Sequence, residues 1–350
     1  LTLLLDRNEV DLHPAVLRPA FRRAVRSDRL ALAKAEGVDP GEDLVEFYQL
    51  PGYRDFDPSA FVYLTFVFFF AVIIADAGYS AMLLAGTILL WRRLGSSTSG
   101  HRTRRLALSI SAFGIVYGVI AGSYFGIELS PDGPLAQARF LDVNDFEVMM
   151  PLSLGVGVLH LVGANLMAAW ARRRSLTSVA SLGWTAALIG GFSLYLGSSS
   201  GWWALGLGLM AVFCCSSERP VRRAADVFMR GIDGCIALTG VSRAFGDVLS
   251  YLRLFALGLS SASLAATFNQ LGSNVMGGGQ GVGLVAGLLV WIVGHSLNFA
   301  LGMVGGVVHG LRLNVIELYN WSIFGEGRPF RPLSKRKLDH VRGEHRPQET

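Results

Sequence analysis

Two apolar runs, residues 226 to 272 and 281 to 323, are each about twice as long as the ~20 residues a helix needs to cross a bilayer. Five shorter runs precede them, at 59 to 91, 106 to 126, 149 to 171, 178 to 197 and 201 to 215. A soluble core has no room for so much continuous apolar chain. The composition agrees, since 51% of the 350 residues are hydrophobic and 16% are charged, against about 25% charged in soluble domains. The predicted fold class is an all-α polytopic membrane protein whose last two helices are long and tilted. The 42 glycines suit that class, because small residues let helices approach closely inside lipid.

The net charge of +5 is not a nucleic-acid footprint, because most arginines flank apolar runs. The loops RRLGSSTSGHRTRR (92 to 105), RRR (172 to 174) and ERPVRR (218 to 223) are basic, as is the tail with RPLSKRK. Residues 127 to 148 instead carry Glu128, Asp132, Asp142, Asp145 and Glu147 against Arg139 alone. The basic loops are therefore expected in the cytoplasm. Arg18, Arg22, Arg23, Arg26 and Arg29 make the start of the chain basic too, so 59 to 91 should leave the membrane on the side it entered. A short helical hairpin does this, turning at ADAGYS (75 to 80), where Asp76 and Gly78 supply a polar break. This predicts eight membrane helices with both termini cytoplasmic. One long helix over 59 to 91 gives seven and stays open, since that run is short for two full crossings.

The expected domains are residues 1 to 58, the remnant of a cytosolic arm and linker; 59 to 325, the membrane domain; and 326 to 350, a cytoplasmic tail. Leu1 in place of methionine, without a signal-peptide pattern, gives the expectation of a chain whose upstream part is missing. No GxxxxGK[ST] phosphate loop occurs, and the lysines are Lys34, Lys335 and Lys337. Cys214, Cys215 and Cys235 have neither metal-ligand spacing nor a disulfide framework. No catalytic residue, cofactor or metal is expected. FVYLTFVFFF reads as a packing or lipid-facing surface, and His160 and Asp76 read as structural.

The residue that demands a function is Arg253, in SYLRLFALGLSS. A charge at bilayer depth costs about 3 kcal/mol on insertion scales, and arginine cannot be neutralised easily because its pKa lies above about 12. Gly246, Ser250, Arg253, Leu257 and Ser260 share one helical face. His295, Asn298, Gly302, Gly305, His309 and Arg312 form a second stripe on the last helix, so the two stripes should meet each other or a common partner. Counted from a turn near 272 to 281, the two arginines are offset by about 12 residues, or ~18 Å, which tilt or bending must absorb. Asp247 and Glu317 are the nearest acidic candidates, but neither shares the Arg253 stripe, so an acidic group on another subunit is a plausible partner.

SRAFGDVLSYLRLFALGLSSASLA and HSLNFALGMVGGVVHGLRLNVIELYNWSIFGEGRPFRPL resemble the last two membrane helices and tail of the a subunit (subunit I) of V/A-type rotary ATPases. YQLPGYRDFDP, ADAGYS, YGVIAGSYFGI and GVLHLVGANL are similar to earlier parts of the same domain, so the resemblance spans about residues 45 to 333. It implies a stator subunit with two proton half-channels, facing a rotating ring of small membrane subunits that each carry an essential carboxylate. Arg253 matches the family's principal arginine and Arg312 its second. Together they block direct leakage and favour the ionised form of a passing carboxylate. ATP synthesis or hydrolysis lies on other chains, and the family's N-terminal arm reaches the peripheral stalk. Asp247, His309 and Glu317 are candidates for the cytoplasmic half-channel, His309 because imidazole titrates near neutral pH. His295 and Asn298 are candidates for the outer one. The location implied is a prokaryotic plasma membrane. Some relatives have a histidine where this chain has Ser261 and a glutamate where it has Gly302, and the turn glycine is Ala75 here. A stand-alone secondary transporter or channel is the alternative, and a scaffold without an ion path is a third reading.

Overall fold

A helix that is apolar on every side must be enclosed by other helices. Helix α2 (Ser59–Ile74), SAFVYLTFVFFFAVII, is such a helix, and ten of its 16 residues are buried. The structure is a computed structural model that describes residues 39–46, 57–127, 133, 137, 139–277 and 281–323. Among these there is no strand. The aromatic stretch is thus a packing surface: Phe66, Phe69 and Phe70 are each at most 2% exposed. Helix α1 (Asp39–Glu46) closes over the start of α2, with Val45 buried in the same apolar cluster as Val62.

The chain breaks after α2 and resumes as α3 (Ala77–Leu89). Ala75 sits in the left-handed region at φ 50°, and the extended Asp76 caps α3 by accepting from the Tyr79 amide at 2.9 Å. The direction of the next segments follows from three contacts with α5 (Thr98–Ala121) and the residues just after it; a short helix α4 (Trp91–Leu94) precedes α5. Tyr63 meets Ser109 at 2.6 Å, Asp76 accepts from Ser123 at 2.8 Å, and Arg104 lies 4.0 Å over the Trp91 ring. The chain therefore runs along α5 to its far end and returns, turning at Ala75 and Asp76 as the charge pattern requires. Glycine makes the return path tight, since a Cβ on Gly118 would lie 2.1 Å from the Ala77 nitrogen.

Helices α6 (Phe146–Ala171), α7 (Thr177–Tyr195) and α8 (Gly201–Cys215) follow. α7 and α8 interlock at Gly183 with Gly208 and at Gly190 with Gly201, where a Cβ on either partner would fall within 3.0 Å of the other helix's backbone. The long run at 226 to 272 is not one helix. It is divided into α9 (Ala224–Leu238), α10 (Gly240–Ser250) and α11 (Leu252–Gly277). At the junctions the amides of Thr239, Tyr251 and Leu254 bond three residues back, to Ile236, Val248 and Tyr251. The last run is α12 (Val282–Arg312), a π-helical turn (Leu313–Leu318) and α13 (Tyr319–Ser322).

Among the described residues, five helical stretches are long and apolar enough to cross a membrane: Ser99–Ala121, Phe146–Ala171, Thr177–Tyr195, Ala224–Gly277 and Val282–Ser322. The eight expected crossings would add α2, α3 and α8, which are shorter apolar helices. Their rises of about 24, 20 and 22 Å fall short of the ~30 Å hydrocarbon core. Most of the expected N-terminal remnant and the whole tail from 326 lie outside the described residues.

Two substitutions separate packing from propensity. Gly118→Ala should cost about 1–3 kcal/mol through overpacking, whereas Gly86→Ala meets nothing within 4 Å and should leave the unfolding temperature in detergent unchanged or slightly raised. Ala75→Gly should raise that temperature, because it relieves about 1 kcal/mol of left-handed strain.

Candidate functional site

Tyr79 and Asn298 are both 2% exposed and lie at the centre of the first polar cluster. The Asn298 amide donates to the Tyr79 hydroxyl at 3.0 Å and to the Ser261 carbonyl at 2.9 Å. His295 meets the tyrosine hydroxyl through Nδ1 at 2.7 Å and the Asn269 side-chain oxygen through Nε2 at 3.0 Å. With Asn298 donating to it, the tyrosine gives its own proton to Nδ1. His295 then carries its proton on Nε2 and donates to Asn269, whose amide donates to the Phe125 carbonyl at 2.8 Å. The hydrogen bonds run in one direction from α12 to α3, back to α12 and on to α11. His295 and Asn298 were legible from the sequence. Tyr79 and Asn269 were not, because their role depends on the hairpin that brings α3 to α11 and α12.

Beside this cluster lies a cavity of about 390 Å³ lined in part by Ser123, Arg139, Asp142, Asn144 and Ser263. Arg139 and Asp142 form an ion pair at its edge. Asp76, bonded to Ser123, connects this region to the hairpin turn and acts structurally, as expected. His160 is also structural: it is hydrogen-bonded to Tyr251 at 2.5 Å and stacked on Phe61.

The second cluster holds the arginines. The pairing of Ser261 with Asn298, and the approach of Gly287 to the Gly272 carbonyl, set Arg253 level with about residue 306. Arg312 is then about six residues further on, or ~9 Å, which is half the expected offset and within reach of two long side chains. Arg253 lies within Coulombic range of Arg312 and Glu317, and His309 within range of both arginines. Among the described residues, no carboxylate is within ion-pair distance of Arg253, and its buried Nη1 atom has no hydrogen-bond partner. The buried Nδ1 of His309 also has none. Glu317, 3% exposed, accepts from Ser250 at 2.7 Å through one oxygen and leaves the other unpaired. Asp247 accepts from the Trp321 indole at 2.7 Å. Arg253, Arg312, His309 and Glu317 therefore share one neighbourhood, Asp247 is held at its margin, and His295 and Asn298 belong to the other cluster.

The two helices meet at Ser261 and Asn298, but Ser261 lies beside the first stripe, whose Ser260 is exposed, and the glycines of the second stripe face α2. Gly306 and Gly310 pack against Phe70 and Phe66 of α2, with Gly302 and Gly305 beside Ile74 and Ile73. The face of α11 left uncovered carries Ala256, Ser260, Ser263, Thr267 and Gln270, continuing the half-buried Arg253 at helical spacing. On α12 the exposed Leu297, Leu301, Val304 and Val308 lead to Arg312. Small and apolar residues thus form an open surface that ends at both arginines.

No family model matches the chain. Curated relatives do. The V-type ATP synthase subunit I of Chlamydia pneumoniae is 31% identical over an alignment covering 84% of this chain and 53% of the relative. The A-type ATP synthase subunit I of Pyrococcus abyssi is 27% identical, covering 92% of this chain and 50% of the relative. That of Methanocaldococcus jannaschii is 24% identical, with 85% and 47% covered. Over most of its length the chain is similar to subunit I of V-type and A-type ATP synthases. It spans about half the length of the curated relatives it matches. Built of long apolar helices, it is an all-α membrane protein.

Tyr79→Phe keeps the ring against Phe125 but strips Asn298 and His295 of a shared partner. It should destabilise the protein by about 1–3 kcal/mol. Thermal unfolding in detergent, with Tyr63→Phe as a more peripheral control, measures this.

Proposed function

We propose that the chain is the proton-translocating stator of a rotary ATPase, working against a ring of small membrane subunits that each present a carboxylate. The observation that carries this reading is Arg253: a permanent charge with a buried, unpartnered nitrogen, near a second arginine, with no ion-pair partner among the described residues. An anion must come from outside to balance it, and a carboxylate on a passing helix fits beside the small residues of α11. The pair of guanidiniums favours the ionised carboxylate, so the ring gives up its proton there, and the fixed charge keeps protons from leaking between the two sides.

Two polar clusters on either side supply the half-channels. Toward the turn between α11 and α12, the hydrogen-bonded series of Asn298, Tyr79, His295 and Asn269, with the adjacent polar cavity, is the outer path. On the other side Glu317, Ser250 and Asp247, with His309 next to the arginines, form the cytoplasmic path. The basic loops and the reversal at Ala75 support cytoplasmic termini. Bacterial and archaeal relatives support a prokaryotic plasma membrane. ATP chemistry then lies on other subunits, and the peripheral stalk is reached through an N-terminal arm.

The test is ATP-driven acidification of liposomes containing the assembled complex with Arg253→Ala, measured beside ATP hydrolysis and subunit stoichiometry. Pumping should be abolished with assembly intact, and Arg253→Lys should not restore it fully, because a desolvated lysine can lose its proton. Near-normal pumping by Arg253→Ala would overturn the proposal. So would substrate-dependent ion flux by the isolated chain.

A further inference from the structure

We propose that the groove between α7, α8 and α10 binds one anionic phospholipid, its phosphate at a polar end and an acyl chain in an apolar one. Two cavities meet at Trp184. One, of about 460 Å³, is lined by apolar side chains of α6, α7, α8 and α10, including Val158, Leu188, Leu205 and Phe245. The other, of about 430 Å³, is lined by Arg172, Ser181, Ser216, Thr239 and Arg243 among others. Along α7 the polar cavity runs from Thr177 to Trp184 and the apolar one from Trp184 to Tyr195. The apolar stretch rises about 16 Å at 1.5 Å per residue. That matches the ~15 Å of hydrocarbon in one leaflet. Tryptophan at the boundary is the side chain expected where hydrocarbon gives way to headgroups.

Charge selects the headgroup. Arg172 and Arg243 line the polar cavity, and guanidinium binds phosphate oxygens through paired donors. The Ser216 hydroxyl, buried and without a hydrogen-bond partner, lines the same cavity and is a third donor. Among the described residues, the carboxylates near this end include Glu218, which accepts from Thr177 at 3.3 Å, Asp233, which accepts from Ser217 and pairs with Arg219, and Asp247, which is bonded to Trp321 and within Coulombic range of Arg243. The basic loops at 172 to 174 and 218 to 223 add positive charge at this end. Water does not settle in an apolar cavity that offers no polar partners, whereas a lipid tail in the surrounding bilayer can fill it.

Native mass spectrometry of the chain, purified in neutral detergent and incubated with equal amounts of phosphatidylglycerol and phosphatidylcholine, tests this. The wild type should retain phosphatidylglycerol in several-fold excess. Arg243→Gln should abolish the preference while leaving total bound lipid unchanged, and Arg243→Lys should keep most of it. Ala187→Trp, which fills the apolar cavity, should reduce retention of both lipids, and this separates a bound lipid from a phosphate group held alone. Equal retention of the two lipids by the wild type would overturn the proposal. So would an unchanged preference in Arg243→Gln, a comparison that still decides if Ala187→Trp fails to fold.

Discussion

A guanidinium in a membrane domain keeps its charge wherever the chain places it, so the surroundings must adapt to the arginine. Around Arg253 they do so incompletely. The side chain is half-buried, its neighbours in charge are Arg312 and His309, and Glu317 stands further off with one oxygen already bonded to Ser250. Breaking a buried ion pair by deleting one partner is strongly destabilising, and this site resembles such a state by construction. Under the proposed function, an anion arriving on a passing helix makes up the deficit. The open surface leading to Arg253, made of alanine, serine and threonine, has the close-approach character such a visitor needs.

Holding two arginines near each other on different helices requires a fixed register between α11 and α12. The register comes from the Asn298 bonds to the Ser261 carbonyl and hydroxyl, and from the packing of Gly287 onto Gly272. α2 supports α12 from behind through phenylalanines that face Gly306 and Gly310. The hairpin at Ala75 positions α3 so that Tyr79 completes the Asn298 cluster. A strained residue, a capping aspartate and a hydrogen-bonded asparagine thus all bear on where the arginines stand.

Much of this was legible in the sequence because membranes leave few options. Long apolar runs pointed to the helices, arginine-rich loops to the parity that demanded a reversal at ADAGYS, and the isolated Arg253 to the candidate site. The parts that escaped depend on tertiary contact. The breaks at Thr239 and Tyr251 have no glycine or proline at the junction residue to mark them. Tyr251 is fixed there by its hydrogen bond to His160, 91 residues away in sequence. The offset between the arginines looked twice too large because the turn was placed at 272 to 281, whereas α11 continues to Gly277. Tyr79 read as one aromatic among many until α3 was seen beside α12.

The departures from the family pattern acquire a physical meaning in this frame. At Ser261, where some relatives have a histidine, the hydroxyl donates to the Asn298 oxygen at 3.3 Å and so contributes to the register lock. Gly302, where some have a glutamate, is not enforced by crowding: the nearest atom to a Cβ there is a methylene of Ile74 at 4.0 Å. Space alone does not explain the missing carboxylate. Under the proposed mechanism the outer path must then rely on His295, one turn beyond Asn298, which already holds a tyrosine on one nitrogen and an asparagine on the other. A titratable group lost at one position of a proton path can be replaced at another only if hydrogen bonds connect the two. Asn298, one turn before Gly302, shares the Tyr79 hydroxyl with His295, so the hydrogen-bonded series reaches to within a turn of that position.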